Sequence, residues 1–169
     1  AQPQTPHNKG TTIMKIHIIL LGLVLCLPLM GADKKPLTKE ESAKVIEAAI
    51  RKAAKKPTGE LTTADLEKVT YLNLYNNQLT NVKCLEKLTQ LTSLDLRHNK
   101  LTDVKGLEKC TQLRVLNLSG NQLTDVTGLE KLTQLETLVL HRNQLTDVKG
   151  LEKLTQLTGL VLAANNLTD

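Results

Sequence analysis

The run LTSLDLRHNKL, from Leu91 to Leu101, decides the fold. Leu91, Leu94, Leu96, Asn99 and Leu101 hold fixed places in it, and those places recur every 22 residues. The next copy supplies Leu113, Leu116, Leu118, Asn121 and Leu123, and the one after it Leu135, Leu138, Leu140, Asn143 and Leu145. Asn77 and Asn165 extend the series, so five copies align without a gap from Val69 to Asp169, the last incomplete. A fixed period of this length marks a solenoid, a stack of equivalent coils in which each buries its apolar face only against its neighbours.

One coil can be read from its spacing. The x-Leu-x-Leu-x run alternates with period two, which predicts a short strand with its leucines on one side. Equivalent strands then pair in parallel along one face. The asparagine follows three residues after the last strand leucine, where the chain must turn inward. Its amide both donates and accepts, so Asn77, Asn99, Asn121, Asn143 and Asn165 are expected to satisfy turn backbone groups as a stacked ladder. Thr102-Asp103-Val104 and its equivalents are expected to open a short helical turn on the opposite face, with Asp103, Asp125 and Asp147 as its capping groups. Val104, Leu107 and Cys110 return to the core from that side.

The pattern L-x-x-L-x-L-x-x-N-x-L over Leu91 to Leu101 resembles the leucine-rich repeat family. The 22-residue period and the Asn-x-Leu-Thr-Asp-Val-x-Gly-Leu run make it similar to the bacterial internalin-like type. The resemblance implies an α/β solenoid, a rod with short parallel strands on its concave face and an α-helical amino-terminal cap. It also implies that this concave face binds another protein, and it implies no shared enzymatic chemistry.

Four segments follow from composition. Residues 1–13 are a polar extension ahead of Met14, which reads as the true start. Residues 14–32 read as a signal peptide, with Met14-Lys15, the apolar run Ile16 to Met30 and the small pair Gly31-Ala32. The apolar run is short for a membrane span, and Leu25 ahead of Cys26 is large for a lipidation signal. Residues 33–68 form the helical cap. Thr38 to Glu41 is a capping-box pattern, and Val45, Ile46, Ala49, Ile50, Ala53 and Ala54 give an apolar stripe. Pro57-Thr58-Gly59 is expected to end that helix, and a second short helix is expected after Thr62 or Thr63, with Asp65 in its first turn. Residues 69–169 are the repeats. The expected location is secreted, periplasmic or cell-envelope, with no membrane association beyond the signal segment.

The charge is +5 in total, from 22 Lys and Arg against 17 Asp and Glu. Several of the positive groups precede the repeats, which hold about as many acids as bases, so nucleic acid is not an expected partner. Trp and Phe are absent, and Tyr71 and Tyr75 are the only aromatics.

Among copies the framework barely changes while the outward strand positions do. The candidate protein-binding residues are therefore Tyr71, Asn73, Tyr75, Asp95, Arg97, His98, Asn117, Ser119, His141 and Arg142, with Tyr and Arg the expected anchors. Ser119 and His141 lie on adjacent strands, about 5 Å apart, but Asp95 is two strands from His141, so no triad forms. No catalytic residues, cofactor or metal are expected. His98 and His141 lack a third ligand, and the Asp103, Asp125, Asp147 ladder lacks the acid density of a calcium coil. Cys84 and Cys110 are offset by one coil plus four residues, unsuited to a disulfide. The protein ligand is not named by the sequence. The alternatives are a spacer without a specific ligand, the front part of a longer effector or enzyme, and self-association through the leucines Leu160, Leu162 and Leu167 of an uncapped last coil.

Overall fold

The computed structural model describes residues 35–168. The polar extension, the signal segment with Cys26, and Asp169 lie outside the described residues. Five three-residue strands, β1 Tyr71–Asn73, β2 Ser93–Asp95, β3 Val115–Asn117, β4 Thr137–Val139 and β5 Gly159–Val161, form one sheet in sequence order. All four pairings are parallel and shift by one repeat, as in Leu72 against Leu94 and Leu94 against Leu116. Such in-register stacking places every strand leucine over its equivalent. Leu74, Leu96, Leu118 and Leu140 are fully buried, as are Leu91, Leu113 and Leu135.

The opposite face carries 3-10 turns at Lys83–Lys87, Leu107–Lys109, Leu129–Lys131 and Leu151–Lys153. Val104, Leu107 and Cys110 return to the core there. The aspartates do not cap these turns, which corrects the sequence-based expectation. Gly106, Gly128 and Gly150 occupy the cap position in a left-handed conformation, with no side-chain cap bond. Asp103, Asp125 and Asp147 instead accept from the amide two residues on, at Lys105, Thr127 and Lys149. This is the Asx turn, which a short carboxylate makes more readily than a longer reach to a later amide. Glu108, Glu130 and Glu152 take the glycine amides, at 2.5 to 2.6 Å. The glycine is required at Gly106, where an added Cβ would fall 2.5 Å from the Lys83 Cα. In the first coil Cys84 replaces the glycine, and the turn winds into a longer 3-10 segment instead.

The asparagines join coil to coil. Asn121 donates to the carbonyls of Leu96 and Leu118 and accepts from the Leu101 amide. Asn143 and Asn165 repeat those bonds one and two coils further on. Asn99 adds a second accepted amide, from Asn77 and Leu79. Asn77, with no coil before it, reaches only the Tyr75 carbonyl. Each interior asparagine thus pairs backbone groups that burial would otherwise leave unmatched.

The cap is helix α1, Lys39–Ala53, followed by the one-turn helix α2, Thr63–Leu66. Thr38 and Glu41 form a reciprocal capping box, as do Thr62 and Asp65. Ile46, Ile50 and Ala54 bury against the first coil, whereas Ala53, expected in the apolar stripe, is exposed. The helix also stops before Pro57. Lys55 turns left-handed at φ +54, and Lys55 and Lys56 donate to the Lys52 and Arg51 carbonyls, the paired bonds of a Schellman ending. Ser42 is buried in α1 and accepts from the Thr80 amide, while the Thr80 hydroxyl donates to the Leu37 carbonyl. These bonds clip cap to coil. Asp65 is held far below its ordinary range, by hydrogen bonds from Thr62 and then from Lys68 and Lys56.

Candidate functional site

Parallel register sets the candidate face. Strand residues alternate inward and outward, so Tyr71, Ser93, Val115, Thr137 and Gly159 form one outward row. Asn73, Asp95, Asn117, Val139 and Val161 form the next. Beyond the strands, Tyr75, Arg97, Ser119, His141 and Ala163 continue the pattern. A fourth row holds Asn76, His98, Gly120, Arg142 and Ala164, and every member has φ between +53 and +67. Only glycine adopts that conformation freely; for other residues it costs about 1–2 kcal/mol. The scaffold imposes it and thereby fixes where His98 and Arg142 project.

One cluster brings together four of the candidates. Asp95 grips Arg97 through Nε at 3.0 Å and Nη2 at 2.6 Å, and also accepts the Arg97 amide. The guanidinium lies 5.3 Å from the centre of the Tyr75 ring. His98 also meets Tyr75 edge-on, with centroids 5.5 Å apart and planes at 88°. Burial acts to raise the Asp95 carboxyl, but the hydrogen bonds and charge of Arg97 outweigh it and hold the group below its ordinary value. The Asp95 hydrogen bond correspondingly raises Arg97. Arg97 is therefore a fixed cation stacked on an exposed aromatic, an arrangement suited to contact with another protein.

Gly120 belongs to this cluster and was not singled out from sequence. A Cβ there would lie 2.9 Å from His98 Nδ1, so the glycine makes room for the imidazole. The signal was present in the repeat, as the one glycine in a row otherwise filled by Asn, His, Arg and Ala.

The other candidates do not join it. Asn73 accepts the Tyr75 amide, and Asn117 accepts both the amide and the hydroxyl of Ser119. Ser119 is only 9% exposed. Its hydroxyl is thus committed to Asn117, and His141 Nδ1 is bonded to the Ala163 carbonyl at 3.0 Å. The two side chains make no nucleophile–base contact. Arg142 projects without an ion pair among the described residues. Tyr71, 56% exposed, stands apart beside α1. Cys84 is half-buried and Cys110 buried, both free thiols; burial raises Cys84 and pushes Cys110 to about 12. No group of His, Cys, Asp and Glu among the described residues could hold a metal.

Comparison with known proteins bears on this geometry. The family described as leucine-rich repeats in two copies matches at residues 67–109, 89–131, 111–153 and 133–169. No curated protein sequence matches. Among solved structures, internalin C2 of Listeria monocytogenes is similar at 33% identity and a TM-score of 0.71, over 74% of this chain and 56% of its own. The functional domain of InlJ from the same organism, which includes a cysteine ladder, is similar at 30% identity and a TM-score of 0.66, over 73% of this chain and 27% of its own. A leucine-rich repeat protein of Leptospira interrogans is similar at 32% identity and a TM-score of 0.58, over 64% and 29%. The chain spans about half the length of internalin C2 and less of the others. With the repeat pattern, the parallel sheet and these likenesses together, the chain belongs to the leucine-rich repeat family, and its repeats are of the internalin-like type.

Proposed function

We propose that this chain is a protein-binding module that engages its partner through the concave strip, anchored on the cap side by Tyr75, Arg97 and His98. The observation that carries the reading is the Asp95–Arg97–Tyr75–His98 cluster. Its side chains are already ordered by mutual contacts, so little conformational entropy remains to be lost on binding. Asn73 and Asn117 flank it, with Tyr71 apart beside α1 and His141 and Arg142 further along the strip. Export to the cell envelope or beyond is part of the proposal, supported by the leader pattern from Met14 to Ala32. No helix among the described residues is long and apolar enough to cross a membrane.

A photoactivatable residue at Val115, on the strip, and another at Lys109, on the opposite turn, test this in the producing cell. A discrete adduct from position 115 that disappears on Arg97→Ala, and is absent from position 109, is the expected result. Equal adducts from both positions, indifferent to Arg97, would favour the spacer reading.

A further inference from the structure

β1 is the edge of the sheet on the cap side, and its outer backbone groups face away from β2. Its pairing with β2 uses the Thr70 carbonyl and the Leu74 and Asn76 amides. In a parallel ladder those alternate positions face the neighbour, so Tyr71 and Asn73 turn their amides and carbonyls to the other side. Among the described residues none of these four groups bonds to backbone outside the sheet. The next such position along is closed, because Asn73 accepts the Tyr75 amide and Asn77 donates to the Tyr75 carbonyl.

Helix α1 packs beside that edge without a backbone hydrogen bond to it. A groove of about 330 Å³ runs between Ala49, Lys52 and Ala53 on the helix and Tyr71, Leu72 and Asn73 on the strand. The two alanines keep the helix side low, which accounts for the exposure of Ala53. Tyr71 belongs both to the groove lining and to the outward strand row. One cation and no acid line the groove. Lys52 and its neighbour Lys55 make no ion pair among the described residues, whereas Arg51 and Lys56 are engaged by Glu47 and Asp65. The negative end of the α1 dipole lies here, but the cations Lys52 and Lys55, which make no ion pair among the described residues, offset it.

We propose that the groove takes an extended, carboxylate-bearing segment of a partner protein, which adds to β1 as a further strand with its acids toward Lys52. The backbone groups of Tyr71 and Asn73 supply the ladder, and the alanines admit alternate side chains of the added strand. This places the start of the interaction surface on the cap. It rests on the reading of the chain as a protein-binding module, though not on the Arg97 cluster.

The test is an amide NMR titration of residues 33–169, which form one compact unit. The probe is a capped hexapeptide alternating valine and glutamate. Saturable shifts at the Tyr71 and Asn73 amides are expected, with exchange of those amides slowed about tenfold or more. Lys52→Glu should weaken the binding at least tenfold with the distal coils unchanged, and a valine–lysine hexapeptide should not bind. Absence of shifts at Tyr71 and Asn73 would overturn the proposal, as would equal binding of the lysine peptide. Concentration-dependent protection of the two amides without peptide would overturn it in favour of pairing between two copies. Shifts confined to Arg97 and Arg142 would overturn the groove while leaving the concave strip standing; Arg97-independent crosslinks from position 115 would do the reverse.

Discussion

At equivalent registers the first two coils present Tyr71, Asn73, Tyr75, Asp95, Arg97 and His98, while the last two present Thr137, Val139, His141, Arg142, Gly159, Val161 and Ala163. Beneath both halves run the same strand leucines and the same left-handed turn, with the asparagine bonds complete from Asn99 onward. The cap-side half is aromatic and charged, tied by an ion pair and two ring contacts. The far half is smaller and more apolar, with one imidazole bonded to a backbone carbonyl and Arg142 projecting beside it. Because the scaffold is constant, the contrast is not a requirement of folding. On the proposed reading it places recognition chemistry toward the cap, and it separates residues that hold the coil from residues that face outward.

That separation can be broken first at a pair of neighbours. Leu116 is fully buried between adjacent coils and Val115 faces outward. Leu116→Ala should cost about 2–5 kcal/mol in urea unfolding, and Val115→Ala within about 0.5 kcal/mol. Equal costs would mean that the outward row also supports the fold. Next, the asparagine ladder should be strong inside and weak at its start. Asn121→Ala strands three backbone groups and should cost roughly 2–3 kcal/mol, against under about 1 kcal/mol for Asn77→Ala with its single exposed bond. The smallest effect sharpens the contrast within the strip. Gly120→Ala adds a left-handed penalty of about 1 kcal/mol and should push the His98 ring off Tyr75. The checks are the thermal midpoint and loss of the ring-current shift between the two side chains.

Much of the fold was legible because the period repeats each signal. Leu94, Leu116 and Leu138 were readable as one position seen several times, and a stacked sheet is the way such positions bury together. The cap helix was legible at its start, where Thr38 and Glu41 leave a local pattern. Its end was not, since a Schellman turn through Lys55 carries no glycine to announce it. Asp103 and its equivalents were misread because an aspartate before a turn can serve either the turn or the helix, and the glycine three residues later settles which. On the strip, single residues were identifiable as outward, but their grouping was not. Tyr75 meets His98 only because a left-handed turn at His98 and the bare Gly120 beside it aim the ring across one coil. Neither condition is written in either residue.

The central claim is that partner contact concentrates on the cap-side half of the strip. A photoactivatable residue at Ser93 and another at Thr137 occupy the same outward row, two coils apart. The account predicts a strong, Arg97-dependent adduct from position 93 and a weak one or none from position 137. An adduct at position 137 as strong as at 93, or one that survives Arg97→Ala, would contradict it.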